Sequence, residues 1–265
     1  MRLPFGWRYF QLPNFDHLNP PFTQMCGRYA LHSPRSQIRE QFDLDNGFDF
    51  GPRYNIAPTT RVLVVRPGSQ GRQVGSLCRW GLIPGWAKDM SIGAKLNNAR
   101  GETVAEKPAF REAFRRWRCI VPANGFFEWE SILENGRTVK QPYYIRPKVD
   151  GDLFGFAGLT ERWVSPEGEE IHSCCIITTD ANVLMQPIHD RMPVILSPGN
   201  YEAWLNPANT KTEMLRAFLR PADAAGMIAY PVSRAVNSSC SDSPSLVEPG
   251  QGENLRQLQT TSLEF

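Results

Sequence analysis

The hydrophobic positions of this chain fall into short runs separated by polar turns, with few stripes at helical spacing. "RVLVVRP", Arg61 to Pro67, reads as a buried strand, while "CRWGLIPGWA", Cys78 to Ala87, begins as one and breaks at Pro84 and Gly85. A second group of strands starts at Arg118 ("RCIVPA"), Phe126 ("FFEWE"), Gln141 ("QPYYIRP"), Leu153 ("LFGFAGLTERW") and Ile171 ("IHSCCIITT"). Two more, "MPVIL" and "MIAYPVS", follow near the end.

Helical spacing is confined to brief stretches. "HSPRSQIREQFDL" predicts a helix with Ser33 as N-cap, Pro34 at the first helical position and Ile38, Phe42 and Leu44 on its apolar side. From Glu102 to Trp117, Val104, Phe110, Ala113, Phe114 and Trp117 suit a helix interrupted near Pro108. "DANVLMQPI", capped by Thr179 or Asp180, "PGNYEAWL" and "TEMLRAFL" predict three more. From about Val236 the chain is polar with little periodicity, and a loose tail is expected. The expected fold is α+β: a single strand-rich domain over residues 26–235 with mixed and antiparallel sheets and flanking short helices, between an extension (1–25) and a tail (236–265).

Composition narrows the class. The chain has 265 residues, enough for a large core, and its longest apolar runs, such as "VLVV" and "CCII", are far short of the roughly 20 residues a membrane span needs. No membrane partner is expected. The first 24 residues lack the apolar stretch of a secretory signal, so an intracellular address is expected. Six cysteines show no metal-ligand spacing, and the adjacent Cys174 and Cys175 point to opposite faces of a strand. Reduced thiols and no zinc or other cofactor follow. The net charge of +2 decides nothing about nucleic acid, but "REAFRRWR" gathers Arg111, Arg115, Arg116 and Arg118 around Trp117. That cluster reads equally well as a solvated helix face.

Four stretches combine polar groups with glycine, proline and aromatics: "MCGRYA", "KLNNARGET", "VPANGFFEWE" and "PIHDRMPV". Each has two readings. Cys26 is a small core residue or a nucleophile whose neighbour Gly27 lets another group approach closely. Glu128, between Phe127 and Trp129, is sent to solvent by strand alternation or faces a pocket where burial raises its pKa for proton transfer. His189 is a structural group, with Asp190 and Arg191 as a surface ion pair, or an acid–base residue. Asn98 and Arg100 serve loop and cap hydrogen bonds or a site.

Taken together these stretches resemble one family, the SOS response-associated peptidase (SRAP) family, shared by bacterial proteins and a eukaryotic abasic-site-processing relative. The resemblance runs from Cys26 to about Val232 through "MCGRYA", "PRYNIAPTT", "RWGLIPGWAKD", "NARGETVAEKPAFREAF", "RCIVPANGFFEWE", "TTDAN" and "HDRMPVIL", in the family's order. It implies recognition of abasic sites in single-stranded DNA and covalent attachment through an N-terminal cysteine. By matching positions, Cys26 would form the crosslink, with Asn98 and Glu128 as its pocket partners and His189 as the acid–base histidine. Arg28, Arg79 and Arg100 would pair with phosphates, Arg53 would join the DNA-binding residues, and Pro58 and Trp80 would wedge against or stack on bases. The resemblance also implies a monomer in the cytoplasm, associated with the nucleoid.

The chemistry explains why a methionine, Met25, stands directly before Cys26. An abasic sugar opens to an aldehyde. An N-terminal cysteine offers an α-amine, with an unperturbed pKa of about 7.7–8.0, to form a Schiff base and a thiol to close a thiazolidine ring. An internal cysteine has only an amide nitrogen. The 24 residues ahead of Met25 are therefore expected to be untranslated because the start codon is misplaced, to be removed by self-cleavage with the Cys26 thiol as nucleophile, or to block the reaction. Two rival functions use the same stretches: a thiol peptidase or amidase with Cys26 and His189, and a non-covalent binder of single-stranded or modified DNA.

Overall fold

The computed structural model describes residues 26–45, 47–68 and 72–250. In chain order the strands and helices are β1 (Arg28–Leu31), α1 (Arg35–Gln41), β2 (Arg53–Ile56), β3 (Arg61–Pro67), β4 (Gln73–Trp80), β5 (Asn98–Arg100), α2 (Arg111–Arg116), β6 (Arg118–Ala123), β7 (Gly125–Glu134), β8 (Arg137–Pro147), β9 (Phe154–Val164), β10 (Glu170–Asp180), β11 (Arg191–Pro193), β12 (Ile195–Leu196), α3 (Tyr201–Leu205), α4 (Thr212–Arg216) and β13 (Met227–Pro231). The strand-rich α+β expectation holds.

Five of these strands close on themselves. Along β10–β4–β3–β6–β9 each strand pairs with the next, and β9 pairs back onto β10, so the barrel has no free edge at this point. The β4–β10 pairing is parallel and the other barrel pairings are antiparallel. Beyond the barrel β5 takes over from β4 along β10, in parallel register with Ile176 opposite Asn98. The second sheet, in the order β13–β8–β7–β1–β2, is antiparallel throughout. One large core joins the sheets, and a smaller cluster of Phe127, Tyr144, Tyr230, Val232, Val236 and Leu246 covers the other face of the second sheet.

Several local expectations change. Ser33 does not cap α1: its N–H donates to Asn124 Oδ1 (3.0 Å) and its Oγ accepts from Asn124 Nδ2 (2.8 Å). The Glu102–Trp117 helix contracts to α2, because turns around Pro108 occupy its first half. "DANVLMQPI" forms turns, with Asn182 Oδ1 accepting from Met185 N–H. "MPVIL" divides into β11 and β12 around Val194, whose N–H donates to Ile177 O in β10. The β7–β8 hairpin is longer than predicted and turns through Asn135 (φ 50°) and Gly136 (φ 75°), the pair of positive φ values of a type I′ turn.

Two expectations are overturned by burial. The chain from Val236 to Gly250 is not loose: Val236 and Leu246 are buried, and Asn55 Nδ2 donates to Val236 O, Ser238 O and Ser241 O. Residues 251–265, like the extension, lie outside the described residues. Arg118 leaves the basic cluster for the interior, where its guanidinium donates to the carbonyls of Phe114, Arg115, Trp204, Asn206 and Asn209. Four of these carbonyls stand at the ends of α2 and α3, where they have no partner within their own helices, and Asn209 lies in the segment after α3.

No helix among the described residues is long and apolar enough to cross a membrane. The six cysteines are free thiols, with Cys240 exposed and the others buried.

Candidate functional site

Strand register brings Cys26 and Glu128 together. In the β1–β7 pairing Arg28 lies opposite Phe127, so the next step along each strand juxtaposes the Cys26–Gly27 turn with Glu128. Cys26 has φ 37°, a value uncommon for a residue with a side chain, and its N–H donates to Glu128 Oε1 at 2.7 Å. Asn98, the first residue of β5, donates from Nδ2 to Cys26 O at 3.3 Å. Asn98 is set by β10 and by its neighbour Asn97, whose carbonyl accepts from Ile176 N–H and from Trp80 Nε1. A close glycine contact shapes the approach to this segment. A Cβ on Gly81 (φ 136°) would lie 2.5 Å from Gly93 O, so only glycine lets the segment after β4 meet the short 3-10 helix Met90–Lys95 that precedes Asn97.

The alternation that would send Glu128 to solvent fails for a physical reason. Phe126 and Glu128 share the face turned to the large core, whereas Phe127 and Trp129 face the smaller cluster, so the first half of β7 is covered on both sides. Glu128 is 1% exposed, and burial pushes its pKa up to about 8, against the pull of the Cys26 N–H; the charge of Asp190 adds to the rise. Burial, followed by the Glu128 charge, also pushes the Cys26 thiol well above its ordinary value.

The charges of Asp190 and Lys140 act on both His189 and Glu128. The His189 Nδ1 lies 3.0 Å from Arg191 N and 3.0 Å from Asp190 Oδ1. Nδ1 cannot accept from one and donate to the other at once. Burial lowers the His189 pKa more than Asp190 raises it, which favours the neutral ring with Nδ1 accepting from Arg191 and the proton on Nε2. Arg191 does not pair with Asp190. It makes a bidentate contact with Glu102 (2.8 and 2.9 Å), reaches Asp180 (2.6 Å) and donates to Thr178 O. This clamp joins β11, the end of β10 and the segment after β5, and sequence reasoning missed it because its partners are distant in the chain.

The arginines implied as phosphate contacts differ in freedom. Arg28 donates to Asn55 Oδ1, Val236 O and Asn237 O, so its guanidinium anchors the 236–237 segment. Arg53 donates to Arg61 O and lies 3.9 Å from Asp242, and Arg79 donates to Thr59 O. Arg100 is exposed, and Pro58 is partly exposed in the turn after β2. Trp80 is not a base-stacking surface: it is wholly buried, edge-on to Tyr29 with ring centroids 5.3 Å apart. The tryptophan that the same motif presents to solvent is Trp86, 61% exposed, placed after the Pro84–Gly85 break.

Among the described residues no group of three or more His, Cys, Asp or Glu side chains could hold a metal ion.

Comparison with known proteins agrees with the motif reading. The family model for SOS response associated peptidase (SRAP) matches residues 25–239. The Bacillus subtilis protein named abasic site processing protein YoqW is 47% identical over 227 residues, covering 84% of this chain and 99% of its own. The rat abasic site processing protein HMCES is 28% identical over 276 residues, covering 85% of this chain and 76% of its own. A crystal structure of a Bacteroides thetaiotaomicron protein superposes with a TM-score of 0.74 at 30% identity, covering 85% of this chain and all of that one. The chain therefore belongs to the SOS response associated peptidase family.

Proposed function

We propose that this protein processes abasic sites in single-stranded DNA by forming a thiazolidine crosslink through Cys26. One observation carries the reading: the backbone nitrogen of Cys26 sits 2.7 Å from a buried carboxylate whose pKa is pushed up to about 8. In a chain that begins at Cys26 this nitrogen is an α-amine, with an unperturbed pKa of about 7.7–8.0, so proton transfer to Glu128 is nearly balanced at neutral pH.

The neutral amine adds to the open-chain aldehyde to give a carbinolamine. Loss of water, with the proton supplied by Glu128, leaves an imine. The Cys26 Sγ then adds to the imine carbon as its proton passes to the imine nitrogen, and the ring closes with a net loss of one water. Burial holds Cys26 as a neutral thiol, which suits this late addition better than it suits a peptidase needing a standing thiolate. His189, with Nε2–H available, donates to the sugar ring oxygen during opening, and Asn98 fixes the Cys26 carbonyl.

Two routes give the free amine: translation from Met25 followed by methionine removal, or self-cleavage before Cys26. In the second the Cys26 thiol attacks the preceding carbonyl, Glu128 protonates the departing nitrogen, and water hydrolyses the thioester. Intact mass spectrometry of protein expressed from the full reading frame, before and after incubation with an abasic single-stranded oligonucleotide, tests both parts. The expected mass begins at Cys26 and then gains the oligonucleotide. Retention of residues 1–24 with normal crosslinking overturns the proposal.

A further inference from the structure

Arg61, the first residue of β3, belongs to none of the motif positions implied to touch DNA. In the antiparallel ladder it lies directly opposite Arg79 of β4. Side chains of directly opposed residues share one face of a sheet, and like charges placed there repel. Among the described residues neither arginine forms an ion pair; the acid beside this row, Asp242, stands 3.9 Å from Arg53. Arg79 spends one donor on Thr59 O (2.9 Å), while its Nε is buried with no hydrogen-bond partner. Arg53 adds a third guanidinium to the same strand end through its 3.1 Å bond to Arg61 O.

This strand end is joined to the candidate site. Thr59 N–H donates to Trp80 O and Trp80 N–H to Thr60 O, and the Trp80 indole reaches Asn97, the neighbour of Asn98. A sheet register that holds positive charges together, with a donor left buried and unpaired, is completed by an anion rather than by the fold. Planar guanidinium groups suit phosphate oxygens.

We infer that Arg61, with Arg79 and Arg53, binds a backbone phosphate of single-stranded DNA, so that the strand leaves the lesion pocket over the Pro58–Thr59 turn. The inference rests on the DNA-binding reading above and adds a contact and a direction to it.

The test is a fluorescence anisotropy titration of an undamaged single-stranded oligonucleotide across a salt series, with thermal melting of the free proteins alongside. Arg61→Ala is expected to reduce the slope of log K against log salt by about 0.7, the value for one phosphate contact on a single strand. Arg61→Lys keeps the slope, and Arg220→Ala, at an exposed arginine after α4, leaves it unchanged. Arg61→Ala should melt at the same or a higher temperature, because a repulsion is removed. An unchanged slope for Arg61→Ala, a fall matched by Arg220→Ala, or a lowered melting temperature overturns the inference. Because this oligonucleotide has no lesion, an Arg61-dependent slope without any abasic adduct would remove the covalent reading and leave this one, and a normal adduct with an unchanged slope would do the reverse.

Discussion

The backbone nitrogen of Cys26 and the carboxylate of Glu128 are 102 residues apart in sequence and 2.7 Å apart in space. Their contact places a proton acceptor on the one atom whose chemistry changes when the residues before it are removed. Glu128→Gln keeps the shape and an accepting oxygen but cannot move a proton. Crosslinking to an abasic oligonucleotide, followed by gel shift under denaturing conditions, is expected to slow by about 10²–10⁴-fold, the usual range for a lost general acid–base group.

Glu128 also imprints a pH dependence on stability. Its carboxyl rises from 4.5 to about 8 on folding, so the folded state holds a proton that the unfolded state releases across that interval. The stabilising contribution is full below about pH 4.5 and is lost as pH climbs through about 8. Melting temperatures of the wild type relative to Glu128→Gln should therefore fall between about pH 5 and 8 and level off above; a difference that is flat or rises with pH across that interval contradicts the buried, protonated carboxyl.

The two tryptophans of one motif should separate fold from binding. Trp80→Ala removes a wholly buried ring and its bond to Asn97 O, with an expected loss of about 3–5 kcal/mol in urea unfolding. Trp86→Ala should leave unfolding almost unchanged and weaken single-stranded DNA binding by about 1–3 kcal/mol if the exposed ring stacks on a base. Equal effects of the two changes on unfolding would rule out this division.

Arg118 is a buried cation without a carboxylate, held by five carbonyls and pushed down to about 10 by burial. Arg118→Met should cost roughly 3 kcal/mol, because several helix-end carbonyls lose their donors together. Arg118→Lys should recover only part of that in denaturant titrations, since three donors on a flexible stem cannot reach five oxygens.

Arg191 links His189 to the strands around it. Arg191→Lys keeps the charge but loses the bidentate contact with Glu102, and crosslinking is expected to slow about tenfold, equivalent to roughly 1.4 kcal/mol. The imidazole pKa, read by NMR titration, should shift at the same time as the rate falls. A slower reaction with an unmoved imidazole would assign Arg191 to another role.

The linear pattern carries local information. Runs such as "RVLVVRP" and "MIAYPVS" can satisfy a strand's pattern in few ways, and β3 and β13 lie where that pattern puts them. The motifs also carried the family, because order and spacing of side chains survive without knowledge of how they meet. Which side of a strand lies inside is fixed by packing. Glu128 reads as solvent-facing under alternation, yet a second cluster built partly from the supposedly loose tail covers the far face of β7 and leaves neither side wet. Trp80 and Arg118 lie inward because their polar atoms find partners there: Asn97 O for the indole, and for the guanidinium the distant Trp204 and Asn206 carbonyls beside the nearby ones that end α2. Burial depends on what packs against a residue, and a linear pattern records only what stands beside it.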